Sequence, residues 1–206
     1  MAKKGNLFVI SGPTAAGKGT ICAKLCERRK DIMLSVSCAT RAPRINEIDG
    51  LHYFFISDEQ FDAMAEADEL LECANVHGKK YGTPRRFVEE HLDKGIDVLM
   101  EIDVQGAQQV IAKHIPLTPV FVIPPSREVL EGRLRSRGTE TAEQISVRLH
   151  TAREELRVAE QYQYMIVNRD LDEAVRVLES IIDASHARKE EHLELLGELY
   201  QQFQED

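Results

Sequence analysis

The sequence holds no apolar run approaching the length that spans a bilayer, which excludes a transmembrane helix and sets the expectation of a soluble chain. Between Met1 and Asn6 there is no apolar signal core, so the expected compartment is the cytoplasm. Positive charge is in deficit. Lys and Arg total 26 against 35 Asp and Glu, and the net charge of −9 disfavours a general nucleic-acid binder with a basic face. Cysteine is scarce, at four residues. Cys22 and Cys26 stand four apart, but no Cys or His pair elsewhere completes a zinc set, so free thiols are expected, with Cys38 a buried and inert one. The 206 residues suffice for one full core with one or two small insertions, rather than a second independent domain.

What is present begins at Leu7. Leu7-Phe8-Val9-Ile10 is a short run of strand formers; Ser11 follows, and Gly12-Pro13-Thr14-Ala15-Ala16-Gly17-Lys18-Gly19-Thr20 carries the pattern Gly-x-x-x-x-Gly-Lys. A helical pattern then runs from Thr20 through Lys30. Strand, loop and helix in that order aim successive backbone N–H groups and the positive end of a helix at one point, where Lys18 adds a full charge, so a polyphosphate can replace water there. Gly12 and Gly17 permit the tight turn. The place after the lysine, commonly a Ser or Thr that holds magnesium, is Gly19. Either Thr20 supplies the hydroxyl, or the metal is held by phosphates, water and an acidic side chain elsewhere.

Further strands are expected over 34–37, 53–56, 70–76, 97–103, 119–123 and 164–168. Helices are expected from Ser57 (boxed with Gln60) to Asp68, Pro84 to Gly95, Gly106 to His114, Ser126 to Arg137, Thr141 to Gln161, and Asp170 (with Glu173) to Phe203, the last with a break near Gly197. This alternation predicts an α/β fold: a parallel sheet covered by helices on both faces, with ligands at the carboxyl ends of its strands. The core is expected over about 5–34, 96–125 and 160–206, with a strand-rich insertion over 35–95 and an arginine-rich helical lid over 126–159. Arginine gathers at Arg41 and Arg44, and again at Arg133, Arg135, Arg137, Arg148 and Arg153. Glu101 and Asp103 alternate onto one strand face beside the phosphate loop, a magnesium-side arrangement. Leu196, Leu199, Tyr200 and Phe203 form an apolar stripe expected to pack back on its own domain more often than to meet another subunit; monomer and homo-oligomer both stay open.

Ser37-Cys38-Ala39-Thr40-Arg41-Ala42-Pro43-Arg44, then Glu47, Gly50 and Tyr53, then Lys80-Tyr81-Gly82-Thr83, then Glu101-Ile102-Asp103-Val104-Gln105-Gly106 form an ordered set of motifs. With them the chain resembles guanylate kinases, from about Leu7 to Ile182. The resemblance implies a P-loop kinase fold and transfer of the γ-phosphoryl group of ATP to GMP, and also to dGMP, with Mg2+. It implies small-molecule substrates and neither nucleic acid nor membrane as partner. By matching position, Arg41, Arg44, Tyr53 and Tyr81 would bind the GMP phosphate, with Glu47 in the same motif, while Ser37, Glu72, Thr83 and Asp103 would surround guanine. ATP would be held by Gly12 through Thr20, by the lid arginines Arg133 and Arg137 with Arg148 alongside, and by Asn168 near adenine. Lys18, Arg41, Arg133, Arg137 and Arg148 would act on the transferring phosphate, and Thr20, Glu101 and Asp103 would lie on the metal side.

The residues make chemical sense by themselves. Guanine presents N1–H and an exocyclic amine as adjacent donors, which one carboxylate such as Glu72 accepts together, while hydroxyls of Ser37 or Thr83 can donate to O6; adenine would set a lone pair against the acid. A GMP phosphate has lost its second proton near pH 6, so no general base is needed and the work is alignment and charge neutralisation. Three departures from the family pattern stand out: Ala39 for a hydroxyl residue, Thr14-Ala15 for the usual Ser-Gly, and Asn46 for Gly before Glu47. Asn tolerates the left-handed backbone such a turn needs. The runner-up is a kinase for another nucleoside monophosphate such as AMP, disfavoured by Glu72 with Ser37 and Thr83. A non-catalytic binding module is disfavoured by Lys18, Arg41 and Arg44. A GTPase is disfavoured because Asn168-Arg169-Asp170-Leu171 lacks the lysine and the spacing of Asn-Lys-x-Asp.

Overall fold

The chain was analysed as a computed structural model, which describes residues 4–76, 78–136 and 141–204. Strand β1 (Leu7–Ser11) is buried at every position. Its alternating side chains feed two cores. Phe8 and Ile10 pack with Ile21, Cys22 and Leu25 of α1 (Lys18–Arg28) and with Val175, Leu178 and Ile182 of α7 (Leu171–Ser185). Leu7 and Val9 pack on the other face with Val88 of α3 (Arg85–Asp93) and with Ala107 and Val110 of α4 (Val104–Ala112). A strand covered on both faces can be apolar throughout, and each such buried side chain stabilises by about 1.5–3 kcal/mol.

Strands β7 (Asp97–Glu101) and β8 (Thr118–Ile123) flank β1, with β2 (Ile32–Leu34) and β9 (Tyr164–Val167) outside them. The order is β2-β7-β1-β8-β9 and every pairing is parallel, as the alternation of elements predicts. The carboxyl ends of β1 and β7 therefore lie side by side, Ile10 against Glu101. Of the strand expected over 34–37 only Leu34 lies in a strand, the end of β2, and 35–37 form the crossing between two sheets. At Ser35, whose N–H donates to Leu99 O at 2.8 Å, the chain leaves the parallel sheet. It then enters a four-stranded mixed sheet at β3 (Cys38–Ala39), where the order is β4-β3-β6-β5 with β4 (Phe54–Phe55), β5 (Leu70–Val76) and β6 (Lys79–Pro84). Leu34-Ser35-Val36-Ser37 keeps one alternating pattern across the crossing, so periodicity cannot show the change of partner. Helix α2 (Asp58–Glu66) covers this second sheet through Phe61, after the reciprocal Ser57–Gln60 capping box. Gln109 of α4 straps the sheet to the core, its amide exchanging two hydrogen bonds with the Cys73 backbone at 3.0 and 2.8 Å.

Strand β7 ends at Glu101, and Asp103 is the N-cap of α4, accepting from Gly106 N–H at 2.7 Å. The helical hairpin of α5 (Arg127–Ser136) and α6 (Ala142–Leu156) packs Leu130, Leu134, Ile145 and Ala152 around Ala15 of the phosphate loop. Helix α6 stops at Leu156, short of the expected Gln161, and a 3-10 turn covers Ala159–Gln161. The break expected near Gly197 falls earlier, after Ser185. A second 3-10 turn (Lys189–His192) leads into α8 (Leu193–Gln202), with Gly197 inside it. No residue of α8 is buried, and Leu196, Leu199, Tyr200 and Phe203 are exposed rather than folded back on the domain. Among the described residues no helix is long and apolar enough to cross a membrane.

Candidate active site

The loop between β1 and α1 turns as its glycines require. Gly12 has φ 141° and Gly17, the N-cap of α1, has φ 99°. A Cβ at Gly17 would stand 2.2 Å from the Asn168 amide nitrogen. That amide donates to Ala16 O at 2.8 Å; Arg133 donates to the same carbonyl at 3.0 Å and to Asn168 O at 2.9 Å. Arg133 from α5 and Asn168 just past β9 thus clamp the loop backbone, a contact that sequence spacing could not reveal. Lys18 arches over the loop, donating to Gly12 O at 2.6 Å and Pro13 O at 3.3 Å. Burial lowers its pKa, and Glu101, Glu155 and Asp103 pull it back up. The first turn of α1 has no acidic residue, so the positive end of that helix is left for an anion.

Two further loop features depend on tertiary contacts. Ala15 is left-handed, with φ 64°, where the family pattern has glycine. Glu155 of α6 accepts from Thr14 N–H and attracts Lys18, while burial raises its pKa. No local signal marks Glu155, because only folding of the hairpin brings it to the loop.

Beside the loop opens a cavity of about 300 Å³, lined by Ser37, Arg41, Arg44, Tyr53, Glu72, Ala74, Tyr81, Glu101, Ile102 and Asp103. At one end Arg41 is fixed from several sides. It donates to both oxygens of Glu47 at 2.5 and 2.8 Å and to the Tyr81 hydroxyl at 3.1 Å, and its guanidinium lies 5.1 Å over the Tyr53 ring. Glu47 also accepts from Arg44 N–H at 2.8 Å, and the Arg41 bonds hold its carboxyl down at about 2. Glu47 thus orients the arginine rather than lining the cavity. Its loop needs Asn46 at φ 84°, the left-handed backbone expected there.

At the other end Glu72 is 6% exposed and accepts from the Thr83 hydroxyl at 2.8 Å, with Ser37 Oγ 3.2 Å from that hydroxyl. Burial pushes the Glu72 carboxyl up to about 7, against the Thr83 bond and with the nearby Asp103 adding to the rise. Glu101 joins cavity and loop. It lines the first and attracts Lys18 of the second, desolvation raises its pKa, and its Oε2 lies 3.4 Å from where a Cβ on Gly19 would stand.

The expected site residues therefore fall into two adjoining groups, Gly12–Thr20 with Arg133 and Asn168, and the cavity set with Thr83 and Glu47 behind it. Arg148 sits on α6, and Arg137 lies outside the described residues. Among the described residues no group of three or more His, Cys, Asp or Glu converges as a metal site. The four cysteines are free, and burial raises Cys38 to about 11, consistent with an inert thiol. A larger cavity of about 840 Å³ lies at the amino ends of β1 and β8, away from the loop. Its basic walls are already engaged, Lys4 with Asp93 and Arg85 with Asp68, each at 2.7 Å, and Arg188 with Thr118 Oγ1 at 3.1 Å and Gln163 Oε1 at 3.2 Å.

Comparison with known proteins decides the family: the guanylate kinase family model matches residues 4–185. The chain belongs to the guanylate kinase family. A guanylate kinase from Caldanaerobacter subterraneus subsp. tengcongensis is 47% identical over 193 residues, 94% of each chain. One from Symbiobacterium thermophilum is 48% identical over 185 residues, 90% of this chain and 88% of the relative. The crystal structure of guanylate kinase from Anaplasma phagocytophilum superposes with a TM-score of 0.72 at 33% identity, covering 91% of this chain and 89% of that one. The match to the family model ends with α7, leaving α8 beyond it.

Proposed function

We propose that this guanylate kinase family member transfers the γ-phosphoryl group of ATP to GMP, and to dGMP, giving ADP and the diphosphate, in the cytoplasm. The observation that carries the reading is the bipolar cavity, with Glu72, Thr83 and Ser37 at one end, Arg41, Tyr53 and Tyr81 at the other, opening beside Lys18. Ionised Glu72 accepts the two adjacent N–H donors of guanine. Arg41 and Arg44 with the tyrosine hydroxyls take the GMP phosphate. ATP lies on the loop N–H groups and Lys18, with Arg133 and Arg148 from the hairpin, so two anions are held end to end. The acceptor oxygen is already deprotonated, and the protein contributes alignment and charge neutralisation. Residues 35–95 hold the acceptor, and 126–159 form a lid that closes over the donor. Hard oxygen donors at Thr20, Glu101 and Asp103 suit magnesium, which supplies neutralisation of the transferring phosphates when bound with ATP.

A coupled assay of ADP release with ATP, Mg2+ and GMP, dGMP or AMP tests this: GMP and dGMP turn over, and AMP lags by orders of magnitude. Lys18→Ala abolishes turnover while calorimetry still finds GMP binding. Turnover of AMP in preference to GMP, or equal loss of GMP affinity in Lys18→Ala, contradicts the assignment.

A further inference from the structure

Gly106 lies in the first turn of α4, buried behind Glu72, which lines the smaller cavity. A Cβ added there would stand 2.8 Å from Glu72 Oε2, 3.3 Å from its Cδ and 3.4 Å from its Cγ. Two other helical glycines, Gly132 and Gly197, have nothing within 4 Å of the same position. The missing side chain at Gly106 is therefore space that Glu72 uses. The backbone cannot yield cheaply to make room. Gly106 N–H is bonded to Asp103 at 2.7 Å, and one turn on Gln109 ties α4 to Cys73, the neighbour of Glu72. The part free to move is the carboxylate itself: Oε1 accepts from the Thr83 hydroxyl while Oε2 faces the added atom, so the group would have to turn about that bond or withdraw from it.

Resting on the GMP reading above, we propose that Gly106 is a positioning residue for base selection: its bare Cα leaves the space in which the Glu72 carboxylate is held square to the incoming purine. A glycine inside a helix lowers helix propensity relative to alanine, and here that cost is retained for recognition.

The test is Gly106→Ala in the full chain, alone and combined with Glu72→Asp, whose shorter side chain withdraws from the added methyl. In the single variant Tm does not fall and KM for ATP and kcat hold within about threefold. KM for GMP rises roughly 30-fold or more, as expected when a charged hydrogen-bonding group is misplaced. On the Glu72→Asp background the same alanine changes KM for GMP by less than about threefold, because the steric conflict is gone. Carbon-13 carboxyl NMR follows the acid without substrate. Its midpoint, about 7 in the wild type, falls toward the ordinary carboxylate range in Gly106→Ala as the group is pushed toward solvent. An unchanged KM, an equal rise in both backgrounds, or loss of folding in both overturns the proposal. If wild type leaves GMP untouched, the functional reading falls instead, and the NMR midpoint still decides whether Gly106 sets the place of the carboxylate.

Discussion

Burial moves the Glu72 carboxyl from the ordinary 4.5 to about 7, so the ligand-free protein near neutrality holds this acid about half protonated. Between those values the unfolded chain gives up the proton and the folded chain keeps it. Stability therefore falls as pH rises from about 4.5 to 7 and levels off above, by on the order of 3 kcal/mol for this group alone. Urea unfolding at pH 5 and pH 8 measures it: Glu72→Gln removes most of the difference between the two, and an unaltered difference contradicts the assignment. The same variant loses roughly 100-fold in kcat/KM for GMP, since an amide cannot accept both donors of guanine. Some residues could be read directly from the chain. Lys18, Gly12 and Gly17 announce themselves by local spacing, whereas Glu72 stands out only through the resemblance, after which the chemistry that one acid offers to guanine makes sense of it. Glu155, the hold of Asn168 on the loop backbone and the closeness of Gly106 to Glu72 stayed hidden, because these are distances to residues far away in the chain.

Elements were legible where the local signal and the tertiary partner agree. The Ser57–Gln60 and Thr141–Gln144 boxes open α2 and α6, and the apolar run of β1 is a strand buried on both faces. Boundaries slipped where the partner changes without a change in pattern, as at 34–38 between the two sheets, and at Asp103, which reads as strand but caps a helix. A quieter tie joins three elements at their ends. Asp97 at the start of β7, 2% exposed, accepts from Asn6 N–H and meets His186 Nε2 just past α7, both at 2.8 Å. Asp97→Ala leaves the part-buried Asn6 N–H unmet, takes the carboxylate away from the His186 ring and costs roughly 1–3 kcal/mol, read as a lower urea midpoint with an unchanged m-value. Turnover at 25 °C persists, because the tie lies at the end of the sheet opposite the phosphate loop.

Across the whole molecule, the parallel sheet carries the phosphate loop, and the mixed sheet with its loops lines most of the smaller cavity, Glu101, Ile102 and Asp103 completing the shared wall. Helix α8 contributes to neither and buries no residue. A chain ending at His192 therefore keeps its turnover and its Tm within about 2 °C, since little apolar area is removed from the core; a larger drop in Tm would show that α8 is covered in solution. That its apolar stripe stands exposed was beyond the sequence, because helical spacing marks an apolar face without naming what meets it. Ala15 joins the scales. Its left-handed backbone costs roughly 1–2 kcal/mol relative to glycine, yet its methyl belongs to the cluster under α5 and α6. One side chain thus joins the anion cradle to the arm above it, so that the loop's left-handed turn and the packing under the hairpin rest on the same methyl group.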